Sequence, residues 1–145
     1  GHVLVAGALE EGRALYLAAN GCDVTTLDPI EEVIERVIDA AAGVGLTGRI
    51  RGVVNDLAGW APDLPLNAVV CAAAALRGLS PEQRQKALAI LQQSTKEGGV
   101  HVVETSSDGV RLVPLAELEA SYYGWHTTVE GSSSNETFFA RKAVA

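Results

Sequence analysis

Apolar residues along this chain fall into two kinds of segment. Short, near-continuous runs at residues 3–6, 23–27, 50–54, 68–72 and 100–105 read as strands, the fourth as a strand buried on both faces. Between them lie segments with helical spacing. Residues 12–20 predict a helix with Gly21 as its stop. Residues 31–42 carry Val33, Ile34, Val37, Ile38 and Ala41 on one helical stripe, closed by Gly43 and Gly45. Ser80-Pro81-Glu82-Gln83 has the form of a capping box with proline at the first helical position, and predicts a helix running to about Thr95, ahead of Gly98-Gly99. The tail changes character. A short helix is expected over 115–123, then strands over 126–130 and 137–141 around the polar loop 131–135. Alternating βα units followed by two successive strands predict a doubly wound α/β domain, mostly parallel, with one reversed edge strand.

Composition narrows what such a domain does. The 145 residues are 48% hydrophobic and carry a net charge of -7. A chain this acidic lacks the basic face that nucleic-acid phosphates or anionic membranes require, so neither is expected as a partner. No apolar run approaches the roughly 20 residues of a membrane span, and no secretory signal opens the sequence. Cys22 and Cys71 read as reduced thiols of a cytoplasmic protein, best taken as small apolar side chains.

In doubly wound sheets ligands bind beyond the carboxyl ends of the strands, near the switch in strand order. The residues following each strand are therefore the candidates. The first loop, Gly7-Ala8-Leu9-Glu10-Glu11-Gly12, fits neither phosphate cradle. As a dinucleotide fingerprint it has Leu9 at the middle glycine position; as a P-loop it has Arg13-Ala14 in place of the Lys-Ser/Thr pair. Its acids suit a ligand with net positive charge, or simply decorate a helix N-terminus. Asp28 ends the second strand, where an acid can accept from two ribose hydroxyls or cap the next helix. Asp56 follows the third strand, where a carboxylate can accept from an adenine amino group or sit in an exposed turn.

These residues resemble the small class I S-adenosylmethionine-dependent methyltransferases, and most of all the tellurite-resistance type. Ala14-Leu15-Tyr16-Leu17-Ala18 is similar to that family's first helix. Asp23–Asp28 is similar to its second strand with the ribose-binding acid, and Val53-Val54-Asn55-Asp56-Leu57 to the stretch that contacts adenine. Similar too are Ala68-Val69-Val70-Cys71, Leu79-Ser80-Pro81-Glu82 and the tail, Tyr123-Gly124-Trp125 with Phe138–Lys142. The departures lie at the site: Val5 for an acid, Leu9 and Glu11 for loop glycines, Asn67 for an acid, Arg77-Gly78 for a histidine pair and Glu97 for a proline.

The resemblance implies a single domain over 1–145 with a seven-stranded sheet of order 3-2-1-4-5-7-6, its last strand antiparallel. It implies S-adenosylmethionine as cofactor, held by Gly7, Ala8, Asp28, Pro29, Asn55, Asp56, Leu57 and Ala72. Arg77, Glu104 and Arg111 are expected to face a small-molecule acceptor. Because such enzymes usually carry an N-terminal helical segment over the site and this sequence opens on the first strand, the lid is expected from an upstream segment, a homodimer mate or a partner chain. The alternative is a catalytically inactive relative kept for binding or scaffolding. No metal site is expected: His101 and His126 have no ligand spacing partners and read as packing or surface residues.

Overall fold

The computed structural model describes residues 1–7, 11–107, 109–132 and 134–145. The five apolar runs form parallel strands: β1 (His2–Ala6), β2 (Asp23–Asp28), β3 (Ile50–Val54), β4 (Leu66–Cys71) and β5 (Thr95–Glu104). A small separate hairpin follows, β6 (Ser106–Ser107) with β7 (Val110–Arg111). The tail gives β8 (His126–Ser132) and β9 (Asn135–Arg141), and the main sheet runs β3-β2-β1-β4-β5-β9-β8. This is the expected order. The periodicity alone put the reversed strand at the edge; the order that the resemblance implies, with the last strand inside, is the one found. β9 inserts between β5 and β8, antiparallel to both. The reason is apolar content. β9 brings Phe138 and Ala140, both fully buried, whereas β8 is exposed along its whole length.

Helices cover the sheet unevenly. α1 (Glu11–Ala19) and α2 (Glu31–Gly43) lie on one face over β1, β2 and β3, where Ala14, Ala18, Val33, Val37 and Ala41 meet Val3, Val5, Val24 and Ile50. On the other face α4 (Pro81–Ser94) and α5 (Leu115–Ser121) bury Leu88, Leu91 and Leu118 against Leu4, Val69, Val103 and Phe138. The one-turn α3 (Ala73–Leu76) links β4 to α4.

The capping box at α4 forms as the sequence predicts. Gln83 N donates to Ser80 Oγ at 3.1 Å, and Ser80 N donates to Gln83 Oε1 at 2.9 Å. The other end of α4 does not wait for the glycines. Ser94 and Thr95 turn their hydroxyls back onto the Ile90 and Leu91 carbonyls, and Lys142 Nζ donates to the carbonyls of Gln92 and Thr95. Gly98, at φ +78°, instead shapes the start of β5, where the register with β4 shifts between Leu66 and Ala68.

One buried polar chain threads the α4/α5 side. Thr95 Oγ1 donates to Leu91 O, so it accepts from His101 Nε2 at 2.7 Å; His101 Nδ1 then accepts from the Tyr122 hydroxyl at 2.6 Å. Trp125 and Tyr122 enclose the ring edge-on. Burial pushes the imidazole pKa down to about 3, so His101 is a neutral core residue.

Candidate cofactor cleft

The sheet switches direction of winding between β1 and β4, and a cleft of about 240 Å³ opens at that point. Four strand ends build it: Ala6 and Gly7 after β1, Leu27 and Pro29 beside Asp28, Asn55–Leu57 after β3, and Ala74, Ala75, Arg77, Gly78 and Leu79 after β4. Gly7 stands at its floor with φ +78°, its N–H donating to Leu27 O at 2.9 Å. A β-carbon there would meet the β-carbons of Ala75 and Ala72 at 3.0 and 3.1 Å. Gly7 and the alanine run after β4 therefore fit each other: small residues on both sides let α3 approach the β1 end.

Asp28 is 4% exposed. Its Oδ1 accepts from Ile30 N at 2.9 Å, forming a turn that leads into α2, whose own N-cap is Ile30 with no side-chain bond. Among the described residues its second oxygen has no hydrogen-bond partner. Asn55 and Asp56 are tied into their own loop. Asp56 Oδ1 accepts from Gly59 N at 2.8 Å, and Asn55 Nδ2 donates to Gly59 O at 3.1 Å. Leu57 is buried below them, and Ala72 is buried behind Gly7, its N–H on Ala6 O. Ala8 lies outside the described residues, as do Leu9 and Glu10 of the same loop.

The three residues expected to face an acceptor occupy three different places. Arg77 is exposed at the rim of the cleft. Glu104 turns to the α1 side of the sheet and pairs with Arg13 at 3.4 Å. Arg111, on β7, makes a two-pronged pair with Glu136 at 2.6 and 3.2 Å. Thr105 Oγ1 also donates to Glu136, and Ser106 Oγ accepts from its backbone N–H, which ties the small hairpin to β9. Arg111 first and Thr105 second hold the Glu136 carboxyl below its usual range.

Beside Glu104 a broader groove of about 560 Å³ runs down the uncovered face of β4, β5 and β9, floored by Val70, Val102 and Phe139 and flanked by Tyr16 and Leu17. Cys71 is fully buried, with its thiol pushed up to about 12 by burial, so it is inert core. Among the described residues no three His, Cys, Asp or Glu side chains are grouped to hold a metal, and no helix is long and apolar enough to cross a membrane.

Sequence reasoning from strand ends found Gly7, Pro29, Asn55, Asp56, Leu57 and Arg77. The stretch 73–78 after the fourth strand is also expected at the site, and it takes in Ala74, Ala75 and Gly78; Leu79 was missed, because no helix is expected between β4 and α4. The small side chains of the run Ala72–Ala75 match the glycine across the cleft.

This sheet order, with its antiparallel strand inserted next to the far edge, is the fold of the S-adenosylmethionine-dependent methyltransferases. The N-methyltransferase NodS from Bradyrhizobium japonicum superposes with a TM-score of 0.77 at 14% identity, over 99% of this chain and 86% of NodS. TehB from Haemophilus influenzae gives 0.77 at 20% identity, over 97% of this chain and 57% of TehB. A SAM-dependent methyltransferase from Methanosarcina mazei gives 0.76 at 14% identity, over 99% and 93%. NodS has also been solved in complex with S-adenosyl-L-homocysteine, and that structure matches at 0.72. No protein-family model and no curated protein sequence matches the chain.

Proposed function

We propose that this domain binds S-adenosylmethionine in the cleft at the β1/β4 switch and transfers its methyl group to a small molecule. The observation that carries the reading is Asp28. A carboxylate fixed at the end of β2, with one oxygen held in a turn by Ile30 N and the other without a partner among the described residues, is placed to accept hydrogen bonds from a ligand. It sits between Leu27 and Pro29, which line the cleft. A ribose diol is a matching donor. Asn55 and Asp56, held rigid by the Gly59 turn, offer polar groups to an adenine edge, and Leu57 and Ala74 offer it apolar surface. The cleft is smaller than the roughly 300–1,000 Å³ that enclose a whole drug-sized ligand, which suits the nucleoside half. When bound, the cofactor supplies a sulfonium methyl that an acceptor nucleophile takes while the thioether leaves. The protein's part is alignment, with Gly7 giving close backbone approach and Arg77 offering a cation to an anionic group at the rim. The free thiols Cys22 and Cys71 fit a cytoplasmic setting.

Titration calorimetry with S-adenosylmethionine and S-adenosylhomocysteine tests this. Asp28→Ala is expected to weaken binding by about 1.5–3 kcal/mol, roughly 10- to 150-fold. Asp28→Asn keeps an acceptor for Ile30 N and separates the turn from the ligand contact. Affinity unchanged by both variants refutes the Asp28 assignment, and no binding at millimolar ligand refutes the cofactor.

One observation favours the second reading, a relative that binds without turnover. No imidazole faces the cleft among the described residues. His2 bonds Thr25, His101 is core and His126 lies on β8. Binding of the cofactor with no transfer to any nucleophile tested would support it.

A further inference from the structure

β8 is the outermost strand beside β9, and every residue from His126 to Ser132 is exposed. The direction of its backbone groups follows from the ladder. Thr105 N donates to Glu136 O and Gly98 N to Lys142 O, so even-numbered residues of the β9 segment bond toward β5. Odd-numbered Thr137, Phe139 and Arg141 bond toward β8, where their partners are Glu130, Thr128 and His126. Thr127, Val129 and Gly131 therefore aim their N–H and C=O groups outward. Natural sheets guard such an edge with lysine, proline or a covering loop. The opposite edge is guarded: Arg51 on β3 makes two bonds to Asp63 of the following loop, at 3.2 Å each. β8, with the sequence HTTVEGS, has neither lysine, arginine nor proline.

We propose that β8 pairs antiparallel with β8 of a second copy of this chain, about a two-fold axis at Thr128, joining the two seven-stranded sheets edge to edge. The charge pattern of the strand selects this register. With the axis at Thr128, Thr127 exchanges hydrogen bonds with the partner's Val129, as outward-pointing groups require. His126 then lies opposite the partner's Glu130, and Glu130 opposite the partner's His126, so one strand supplies two complementary pairs. An axis at Glu130 would set carboxylate against carboxylate, and an axis at His126 imidazole against imidazole. Axes at Thr127 or Val129 leave both groups without a complementary partner. His126, Thr128 and Glu130 share a face with Phe139 and Val100 around a shallow pocket of about 230 Å³, so the partner strand also extends an apolar surface. The inference is independent of methyl transfer.

Sedimentation velocity on the full chain, at concentrations up to about 0.2 mM, tests it. A monomer–dimer equilibrium is expected. Val129→Pro removes an outward N–H and leaves the β9 ladder intact, and His126→Glu opposes two pairs of carboxylates. Each is expected to raise the dimer Kd at least about tenfold. The swap His126→Glu with Glu130→His is expected to restore it, which a folding defect would not. In a Cys22→Ser background, Thr128→Cys is expected to cross-link on mild oxidation, because Cα atoms across that axis lie about 4.5 Å apart, whereas Thr127→Cys is not. A monomer at every concentration overturns the proposal. So does a dimer indifferent to Val129→Pro and His126→Glu, or one in which Thr127→Cys cross-links as readily as Thr128→Cys.

Discussion

Replacing Gly7 by alanine isolates what the cleft floor demands of the backbone. Two separate penalties apply. Alanine at φ +78° incurs the left-handed cost, about 1–2 kcal/mol. Its β-carbon would then stand 3.0 Å from the Ala75 β-carbon and 3.1 Å from both the Ala72 β-carbon and the Ala75 backbone nitrogen. Neither α3 nor the β4 end can yield freely, since Ala72 N is bonded to Ala6 O and Ala75 N to Ala72 O. Overpacking of this kind costs about 1–3 kcal/mol. The sum for Gly7→Ala is about 2–5 kcal/mol. Gly21→Ala is the internal control, because Gly21 has φ +91° and nothing within 4 Å of an added β-carbon, so it should show only the first penalty. Urea unfolding at constant m-value measures both. The second variant Gly7→Ala with Ala75→Gly removes the closest contact and is expected to recover part of the difference. If Gly7→Ala and Gly21→Ala destabilise equally, the close approach of α3 to the β1 end is refuted.

Two further predictions concern the core and the capping box. His101 is neutral when folded, with its pKa held near 3, and its ordinary value is about 6.5. The unfolded chain therefore takes up the proton first as pH falls. The His101 contribution is fully present above pH 6.5 and is lost between pH 6.5 and 3, at up to about 1.4 kcal/mol per pH unit. Stability measured against pH for wild type and His101→Gln should diverge in that window alone, and parallel curves refute the assignment. Ser80→Ala removes one half of the reciprocal cap on α4 and should cost about 1 kcal/mol by the same urea assay. A change under a few tenths would mean that Pro81 alone sets the helix start.

The elements of the fold were legible because they rest on local rules. The period of the apolar positions separates strand from helix. The Ser80–Gln83 box is complete within four residues. Asp28 is readable as a candidate ligand group from its place at a strand end. The resemblance of short motifs carried the strand order as well. Tertiary structure decided what depends on competition between distant segments. The pattern of apolar positions alone does not say that β9 displaces β8 from the interior, which only the resemblance implied; the burial of Phe138 and Ala140 against an all-exposed neighbour gives the physical reason. It offers Arg111 and Glu104 as unattached strand-end charges, and their partners Glu136 and Arg13 lie 25 and 91 residues away along the chain. It places the end of α4 near Thr95, where the helix does end, but not the bonds from Ser94, Thr95 and Lys142 that end it. Local pattern determines which segments can bury a face. Only the folded chain decides which polar groups, brought together across the sheet, satisfy one another and which are left to a ligand or a second copy.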